Sequence, residues 1–273
     1  MLWTPQKGLV KTISNGQIIG TTPGTAIVAS GTTLLNGTVT ELVSAANNVQ
    51  DSWGIIITII ADAASGALAT ETCLDILIGG ATDDVLIPAL ICGGAIRAPT
   101  INYFFPLHIP QGKRIAGILA SVKVSMAYHV LVTLLGGSPP PFRVGRKVTA
   151  YGTQINNARG VAITPAASGG AASVTQIVAA TSEDHFAIYP GFQCSTDTTM
   201  TTGQMNIGIG LGAAAEDRVG TWFYSFSSAE EAFGPFPAMP VFHDIPAGSR
   251  LTMLASNSGL NDAAYDGLIY AVS

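Results

Sequence analysis

The chain contains the stretch Leu74-Asp75-Ile76-Leu77-Ile78-Gly79, and a related stretch, Met205-Asn206-Ile207-Gly208-Ile209-Gly210, follows at an offset of 131 residues. A turn-like stretch, Ile109-Pro110-Gln111-Gly112-Lys113-Arg114, is matched at an offset of 136 by Ile245-Pro246-Ala247-Gly248-Ser249-Arg250. A third pair, Thr40-Glu41-Leu42-Val43-Ser44-Ala45 and Thr175-Gln176-Ile177-Val178-Ala179-Ala180, has an offset of 135. Three pairs in one order and at nearly one offset predict a tandem duplication of a single unit.

The repeated stretches have the patterns of strands and turns. Leu74, Ile76 and Ile78 recur at period two, as the residues on one face of a strand do. In the stretch from Ile109 to Arg114, proline presets φ and glycine permits a positive φ two residues later. Short strands separated by such turns indicate a sandwich rather than a βαβ fold. The sequence therefore predicts an all-β protein built from two tandem jelly-roll-like β-sandwich units.

The distribution of proline and glycine divides the chain into four parts. Residues 1–24 are predicted to form an extended N-terminal arm, 25–137 the first β-sandwich, 138–158 a Pro-rich linker and 159–273 the second β-sandwich. Three consecutive prolines in the linker have no backbone donor and favour an extended form. The arm either reaches a neighbouring subunit through Trp3 or is a first strand with a frayed end.

The composition points towards assembly with other subunits. Only 11% of the residues are charged and 48% are apolar, whereas globular domains average about 25% charged residues. Much of the exterior must therefore be neutral and polar or covered by other subunits. A net charge of -5 with 12 Lys and Arg argues against a nucleic-acid partner, because phosphate binding needs a basic face.

Nothing in the sequence predicts a membrane helix or a secretory signal. The most apolar runs, Trp53 to Ala61 and Val130 to Gly137, are each shorter than the ~20 residues of a spanning helix. The three cysteines, Cys73, Cys92 and Cys194, lack the spacing of a zinc site or a dithiol motif, and we expect Cys73 and Cys194 to be small buried side chains.

The ionisable clusters do not predict a catalytic or metal site. His108 and His243 occupy matching places before the two Ile-Pro turns, but no other ligand stands at a suitable spacing. In Glu183-Asp184-His185, adjacent residues of an extended chain point to opposite faces, so the acid cannot orient the imidazole. The corresponding loop, Gln50-Asp51-Ser52, keeps only an acid. His129 is expected to be a core or edge histidine.

Three further motifs are interpreted as structural. Asp83-Asp84 lacks the alternating oxygens of a calcium loop and is expected in a hairpin turn. The glycine-rich stretches Ser168 to Ala171 and Gly208 to Gly212 lack the Lys-Ser/Thr of a phosphate-binding loop. We therefore predict no enzyme activity, no catalytic, cofactor-binding or metal-binding residue, and no cofactor.

The tandem β units, the low charge and two motifs resemble a group of tailed-phage virion proteins. The motifs are the Ile-Pro-x-Gly-x-Arg turn at 109–114 and 245–250 and the Asp-Ile-x-Ile-Gly-Gly block at 75–80. The resemblance implies a virion component on the capsid exterior, neck or tail, made in the host cytoplasm. It implies homo-oligomers and other virion proteins as partners, with no nucleic acid and no membrane.

Two other functions remain open. A receptor- or carbohydrate-binding module is possible because the aromatic residues Trp222, Tyr224, Phe233 and Phe236 could stack on sugar rings if they are exposed. The alternative is that these rings fill the sandwich interior or a subunit contact. A hydrolase of cell-surface polymers is the other function, and it predicts loss of turnover when Glu183-Asp184-His185 is changed.

Overall fold

A computed structural model describes most of the chain. The described ranges are 11–12, 24–61, 72–80, 82–92, 100–122, 124–137, 140–153, 160–166, 171–194, 201–212, 217–228, 240–258 and 265–273. Within these ranges the secondary structure consists of strands, and no helix there is long and apolar enough to cross a membrane.

Nine strands form the first unit. They are β1 (Lys11–Thr12), β2 (Thr25–Val28), β3 (Thr40–Val43), β4 (Ser52–Ala61), β5 (Thr72–Gly79), β6 (Asp83–Ile91), β7 (Ile101–Phe105), β8 (Arg114–Ser121) and β9 (Ala127–Gly136).

Nine strands, in the same succession, form the second unit. They are β10 (Val148–Tyr151), β11 (Val161–Ile163), β12 (Ser173–Val178), β13 (His185–Cys194), β14 (Thr201–Leu211), β15 (Asp217–Ser228), β16 (Val241–Ile245), β17 (Leu251–Asn257) and β18 (Tyr265–Val272).

The two units have the same antiparallel topology. In the first, a five-stranded sheet has the order β1-β9-β4-β7, with β2 also on β9, and a four-stranded sheet has the order β3-β8-β5-β6. In the second, β10-β18-β13-β16 with β11 on β18 faces β12-β17-β14-β15. Apart from the additional short strand on β9 or β18, each unit has the eight strands in two packed sheets of a jelly roll. The predicted all-β fold of two tandem jelly-roll-like sandwiches is confirmed.

The two Ile-Pro-x-Gly-x-Arg turns have the same conformation. Gly112 has a φ of 75° and Gly248 a φ of 84°, a region that favours glycine over residues with a side chain. Gly112 donates its N–H to Asn48 O, and Gly248 donates its N–H to Thr181 O, both at 2.8 Å. Each turn is therefore fastened to the loop that precedes the first long strand of its own unit.

The cores explain the alternation in the sequence. Along β9, every second residue is buried, as expected for a strand with one face towards the interior. Ile55, Ile57 and Ile59 of β4 point into the same core, which also includes residues of the four-stranded sheet. The second unit has its own core, centred on residues such as Ile207, Ile209 and Met253.

The core of the first unit continues into the second unit. Tyr189 of β13 and Tyr270 of β18 belong to the same buried cluster as Tyr103 and Phe105 of β7. The Phe105 and Tyr189 rings lie 4.8 Å apart, and the Tyr103 and Tyr270 rings 5.9 Å apart. The two units are therefore joined by apolar packing as well as by the connecting segment.

Hydrogen bonds from Tyr189 and Tyr270 cross this contact, and one from Tyr103 joins β7 to β6 beneath it; we call Tyr103, Tyr189 and Tyr270 the interface tyrosines. The Tyr270 hydroxyl donates to Ala89 O at 2.7 Å and accepts from the N–H of Ile91 at 2.9 Å. Tyr103 donates to Ile91 O, and Tyr189 donates to a carbonyl of β7. The outward face of the second unit's five-stranded sheet thus covers the edge of the first unit formed by β6 and β7, which we call the β6–β7 edge.

The ranges predicted for the arm and the linker contain strands. Lys11–Thr12 pairs with β9, and the rest of the predicted arm, up to residue 23, lies outside the described residues. β10 lies within the predicted linker and pairs with β18 along its whole length. Periodicity did not reveal these strands because they are only two and four residues long. The boundaries of the two predicted sandwiches remain predictions.

Candidate interaction surface

The aspartate of Glu183-Asp184-His185 accepts a hydrogen bond from a turn. Asp184 Oδ1 accepts from the N–H of Ala247 at 2.7 Å, and in the first unit Asp51 Oδ1 accepts from the N–H of Gln111 at 2.7 Å. The two aspartates therefore occupy equivalent positions and satisfy equivalent backbone donors of the two Ile-Pro turns. This shared contact gives a structural reason for an acid at both positions.

The other two residues of this cluster connect β10 to the loop before β13. Glu183 Oε1 lies 2.8 Å from Lys147 Nζ and accepts from Thr149 Oγ1 at 3.0 Å. Burial raises the pKa of Glu183, but these hydrogen bonds and the lysine charge together hold it below its ordinary value. Buried His185 hydrogen-bonds through Nε2 to the Tyr151 hydroxyl at 2.8 Å. Burial lowers the pKa of His185, and the negative charge of Glu183 opposes part of this shift.

The other histidines are separated from one another. His108 and His243 are both exposed, beside the two equivalent turns. His129 is half-buried on β9 between β2 and β4, so it lies within the sheet rather than at its edge. Among the described residues, no three His, Cys, Asp or Glu side chains form a group that could hold a metal ion.

The remaining sequence motifs lie in strands. Asp83 and Asp84 begin β6, directly after the hairpin from β5, and Asp83 forms an ion pair with Arg114. Gly208 and Gly210 are buried in β14, and a Cβ at Gly208 would lie 3.3 Å from a backbone oxygen of β15. The stretch at Ser168 lies largely outside the described residues.

The cysteines with described side chains are buried thiols. Cys73 and Cys92 are free and belong to the first unit's core. Burial raises the pKa of the Cys92 thiol well above its ordinary value, and the neighbouring Cys73 adds to this effect. Such a thiol is unreactive at neutral pH. The side chain of Cys194 lies outside the described part of the structure.

The structure does not show the four aromatic residues proposed for sugar binding as an exposed group. Trp222 is half-buried against the second core, the side chain of Tyr224 is outside the described set, and Phe233 and Phe236 lie outside the described residues. The neighbouring Phe223, which sequence reasoning missed, is 72% exposed. Period-two alternation along β15 places it opposite to Trp222 and could have indicated it.

A seam of aromatic rings joins the two units at the surface. Phe142, in the connecting segment, lies 5.7 Å from Trp53 and 5.5 Å from the ring of Phe242, which is 44% exposed. Arg143 lies over the Phe186 ring at 4.8 Å and pairs with an exposed aspartate of β16. The seam is thus apolar, partly open to solvent and bordered by charge.

The outward side of the first unit's five-stranded sheet is rich in apolar residues. We call this side the outer face of the first unit; from β4 and β9 it presents half-buried residues, namely Ile56, Thr58, Ile60, His129, Leu131, Thr133 and Leu135. An antiparallel sheet that faces water on one side normally alternates apolar and polar residues. The run Ile55-Ile56-Ile57-Thr58-Ile59-Ile60 departs from this rule and resembles a strand covered on both sides.

The equivalent face of the second unit is the one that covers the β6–β7 edge. The shared aspartates make β4 equivalent to β13, so Ile56 corresponds to Tyr189. Ile56 pairs with Thr133 as Tyr189 pairs with Tyr270, and Thr58 pairs with Leu131 as Gly191 pairs with Leu268. Tyr189, Leu268 and Tyr270 are buried in the contact between the units. Their counterparts in the first unit are Ile56, Leu131 and Thr133, and all three are partly exposed.

Comparison with known proteins gives similarity in structure only. No protein-family model matches the chain, and no curated protein matches it in sequence. The tandem CBM22-1-CBM22-2 domain of Xyn10C from Paenibacillus barcinonensis is 13% identical, with 99% of this chain and 93% of that chain covered and a TM-score of 0.28.

Two other solved structures match nearly the whole chain. PNGase F, a glycosylasparaginase from Flavobacterium meningosepticum, is 10% identical, with 96% of this chain and 94% of that chain covered and a TM-score of 0.31. A structure of the infectious bursal disease virus Gx strain is 13% identical, with 98% and 73% covered and a TM-score of 0.20. Similarity at these TM-scores carries no argument about what this chain does.

Proposed function

We propose that the protein is a structural component of a tailed-phage virion, present in multiple copies on the capsid exterior, neck or tail. In this role it is a decoration, ring or fibre-type protein that acts through contacts with other copies and other virion proteins. The outer face of the first unit is the observation that carries the proposal. On this face Ile56, Ile60, Leu131 and Leu135 outnumber the polar Thr58, His129 and Thr133, whereas a solvated sheet face would be mainly polar.

The build of the molecule agrees with a mechanical role. The first core continues across the contact between the units, so apolar packing holds the two sandwiches against each other. Jelly rolls occur in viral capsid and lectin domains, which is an analogy at the level of the fold. The motifs at 109–114, 245–250 and 75–80 add the resemblance to tailed-phage virion proteins.

The proposal is tested in two steps. Light scattering of the purified protein is expected to give a mass of several chains, and electron microscopy a symmetric ring, shell fragment or fibre. Antibodies against the purified protein are then expected to label intact particles on the capsid exterior, neck or tail. The proposal is contradicted if the protein stays a single chain at high concentration and the antibodies label no particle.

A receptor- or carbohydrate-binding role is the second candidate, and the aromatic seam favours it. Ligand sites combine aromatic surfaces with a few placed polar groups, and Phe142, Phe242 and Arg143 provide both. A glycan array is expected to show binding that Phe142→Ala and Phe242→Ala both reduce. Unchanged binding in both variants, or no bound glycan, contradicts this role.

A further inference from the structure

We propose that a second copy of this chain covers the outer face of the first unit with the edge formed by β15 and β16 of its second unit. We call that edge the β15–β16 edge. The inference rests on the proposed function, because it names the surfaces through which copies assemble. It says that the contact between two chains repeats the contact between the two units of one chain.

The contact within the chain supplies the template. The outward face of the second unit's five-stranded sheet, with Tyr189 and Tyr270, packs against β6 and β7 of the first unit. The Tyr270 hydroxyl hydrogen-bonds to the backbone of Ala89 and Ile91 in β6. One unit therefore contributes an outward sheet face and the other contributes the edge between its sixth and seventh strands.

Duplication leaves one copy of each surface without this partner inside the chain. The outer face of the first unit is equivalent to the face that carries Tyr189 and Tyr270, and it is apolar at Ile56 and Leu131. The β15–β16 edge is equivalent to the β6–β7 edge. Among the described residues, β15 pairs only with β14, and β16 pairs only with β13.

If the contact between the two units is repeated between two chains, Phe223 is the residue of the β15–β16 edge that lies in it. In β5 and β6, Leu74 pairs with Leu90 and Ile76 with Ile87, so Pro88 and Ala89 lie between the two pairs. In β14 and β15, the matching residues Met205 and Ile207 pair with Tyr224 and Trp222, and Phe223 lies between them.

Phe223 therefore corresponds to the place where the first unit receives Tyr270. It is 72% exposed, the highest value among the exposed large apolar side chains of the described residues. A partner that covered this ring would remove its apolar surface from water, which favours association. An apolar face and an exposed aromatic residue thus stand at the two positions that a repeated contact would join.

The proposed contact is heterologous, because it joins two different surfaces of identical chains. Such contacts close into rings when the rotation divides a full turn, and otherwise form helical filaments. Along such a ring or filament, the first and second units of successive chains would alternate. This arrangement suits a ring or fibre-type component and gives the interface a direction.

The test uses three single variants of the full chain. Leu131→Lys changes the outer face of the first unit and Phe223→Lys changes the β15–β16 edge. Val174→Lys is the matched control, because Val174 is an apolar strand residue of β12 that is 49% exposed and lies on neither surface. Circular dichroism and thermal melting confirm that each variant is folded. Light scattering over about 1–100 μM then measures the mass of each.

The proposal predicts that wild type and Val174→Lys assemble, while each surface variant dissociates at least about tenfold more readily, as for a central interface residue. An equimolar mixture of Leu131→Lys and Phe223→Lys is expected to form dimers. The first variant still offers its edge and the second still offers its face, so one intact contact forms and the chain of contacts stops there.

Each other outcome overturns the inference in a distinguishable way. If wild type assembles and Leu131→Lys assembles equally well, the inference fails and the proposed function stands. If Leu131→Lys dissociates but Phe223→Lys does not, the outer face meets another surface. If wild type is monomeric, the inference fails, and the proposed function fails with it only if antibodies against the protein also label no particle. Assembly that appears only after removal of residues 1–24 would show that the arm covers the face.

Discussion

Replacing Tyr270 by phenylalanine is the most direct test of how the two units are joined. The substitution keeps the ring and removes a fully buried hydroxyl that donates to Ala89 O and accepts from the N–H of Ile91. Both backbone groups lose this partner. An unsatisfied buried polar group costs about 1–3 kcal/mol, so we expect the free energy of unfolding to fall by about 3 kcal/mol.

Urea unfolding followed by circular dichroism measures this change, and thermal melting gives a second readout. For a chain of this size, about 3 kcal/mol corresponds to a fall of about 6 °C in melting temperature. Tyr189→Phe is the graded control, since its hydroxyl makes one hydrogen bond, to Phe104 O, and a smaller loss of about 1 kcal/mol is expected. A loss below about 0.5 kcal/mol in Tyr270→Phe would refute the reasoning.

Three further predictions concern pH and backbone strain. Burial raises the pKa of the three interface tyrosines well above the ordinary value of about 10. As the pH rises, the unfolded chain therefore loses these three protons before the folded chain does. The free energy of unfolding is expected to fall above about pH 10, by up to about 4 kcal/mol per pH unit. Urea midpoints at rising pH should show this slope, and Tyr270→Phe should reduce it by about a third. Burial lowers the pKa of His185, so the unfolded chain takes up its proton first as pH falls below about 6.5, and stability decreases there by up to about 1.4 kcal/mol per pH unit. His185→Gln should remove that slope; an unchanged slope would contradict the assignment. Ala89 has a φ of 51°, so Ala89→Gly should raise the free energy of unfolding by up to about 1 kcal/mol, whereas Ala116→Gly, in a regular strand, should lower it.

The repeat made the architecture predictable. One Ile-Pro turn and one period-two strand, each occurring twice, were enough to predict two equivalent sandwiches, because turn chemistry and strand periodicity are local. Strand β10 was missed since four residues give no measurable period, whereas β1 falls in the segment for which a first strand was one of the two alternatives. β7 and β16 were also not predicted as strands, because each has only five residues and lies next to a proline, Pro106 or Pro240.

The surfaces were less predictable than the fold. The sequence showed that the apolar run of β4 is too short for a membrane helix, and only the structure shows that Ile56 and Ile60 face away from the core. Phe223 was passed over in favour of Trp222, since composition does not tell which of two adjacent rings points outwards. Tyr270 contacts Ile91, which lies 179 positions earlier in the sequence, and no local pattern predicts a contact over that distance.

This distance in sequence has a consequence during synthesis. At about 5–20 residues per second, the nascent chain completes β18 on the order of 10–35 seconds after β6 has left the ribosome. Until then the apolar edge of the half-made protein is open to other nascent chains on the same messenger. Pauses in translation between these strands are therefore expected to increase the insoluble fraction, while pauses after β18 are not.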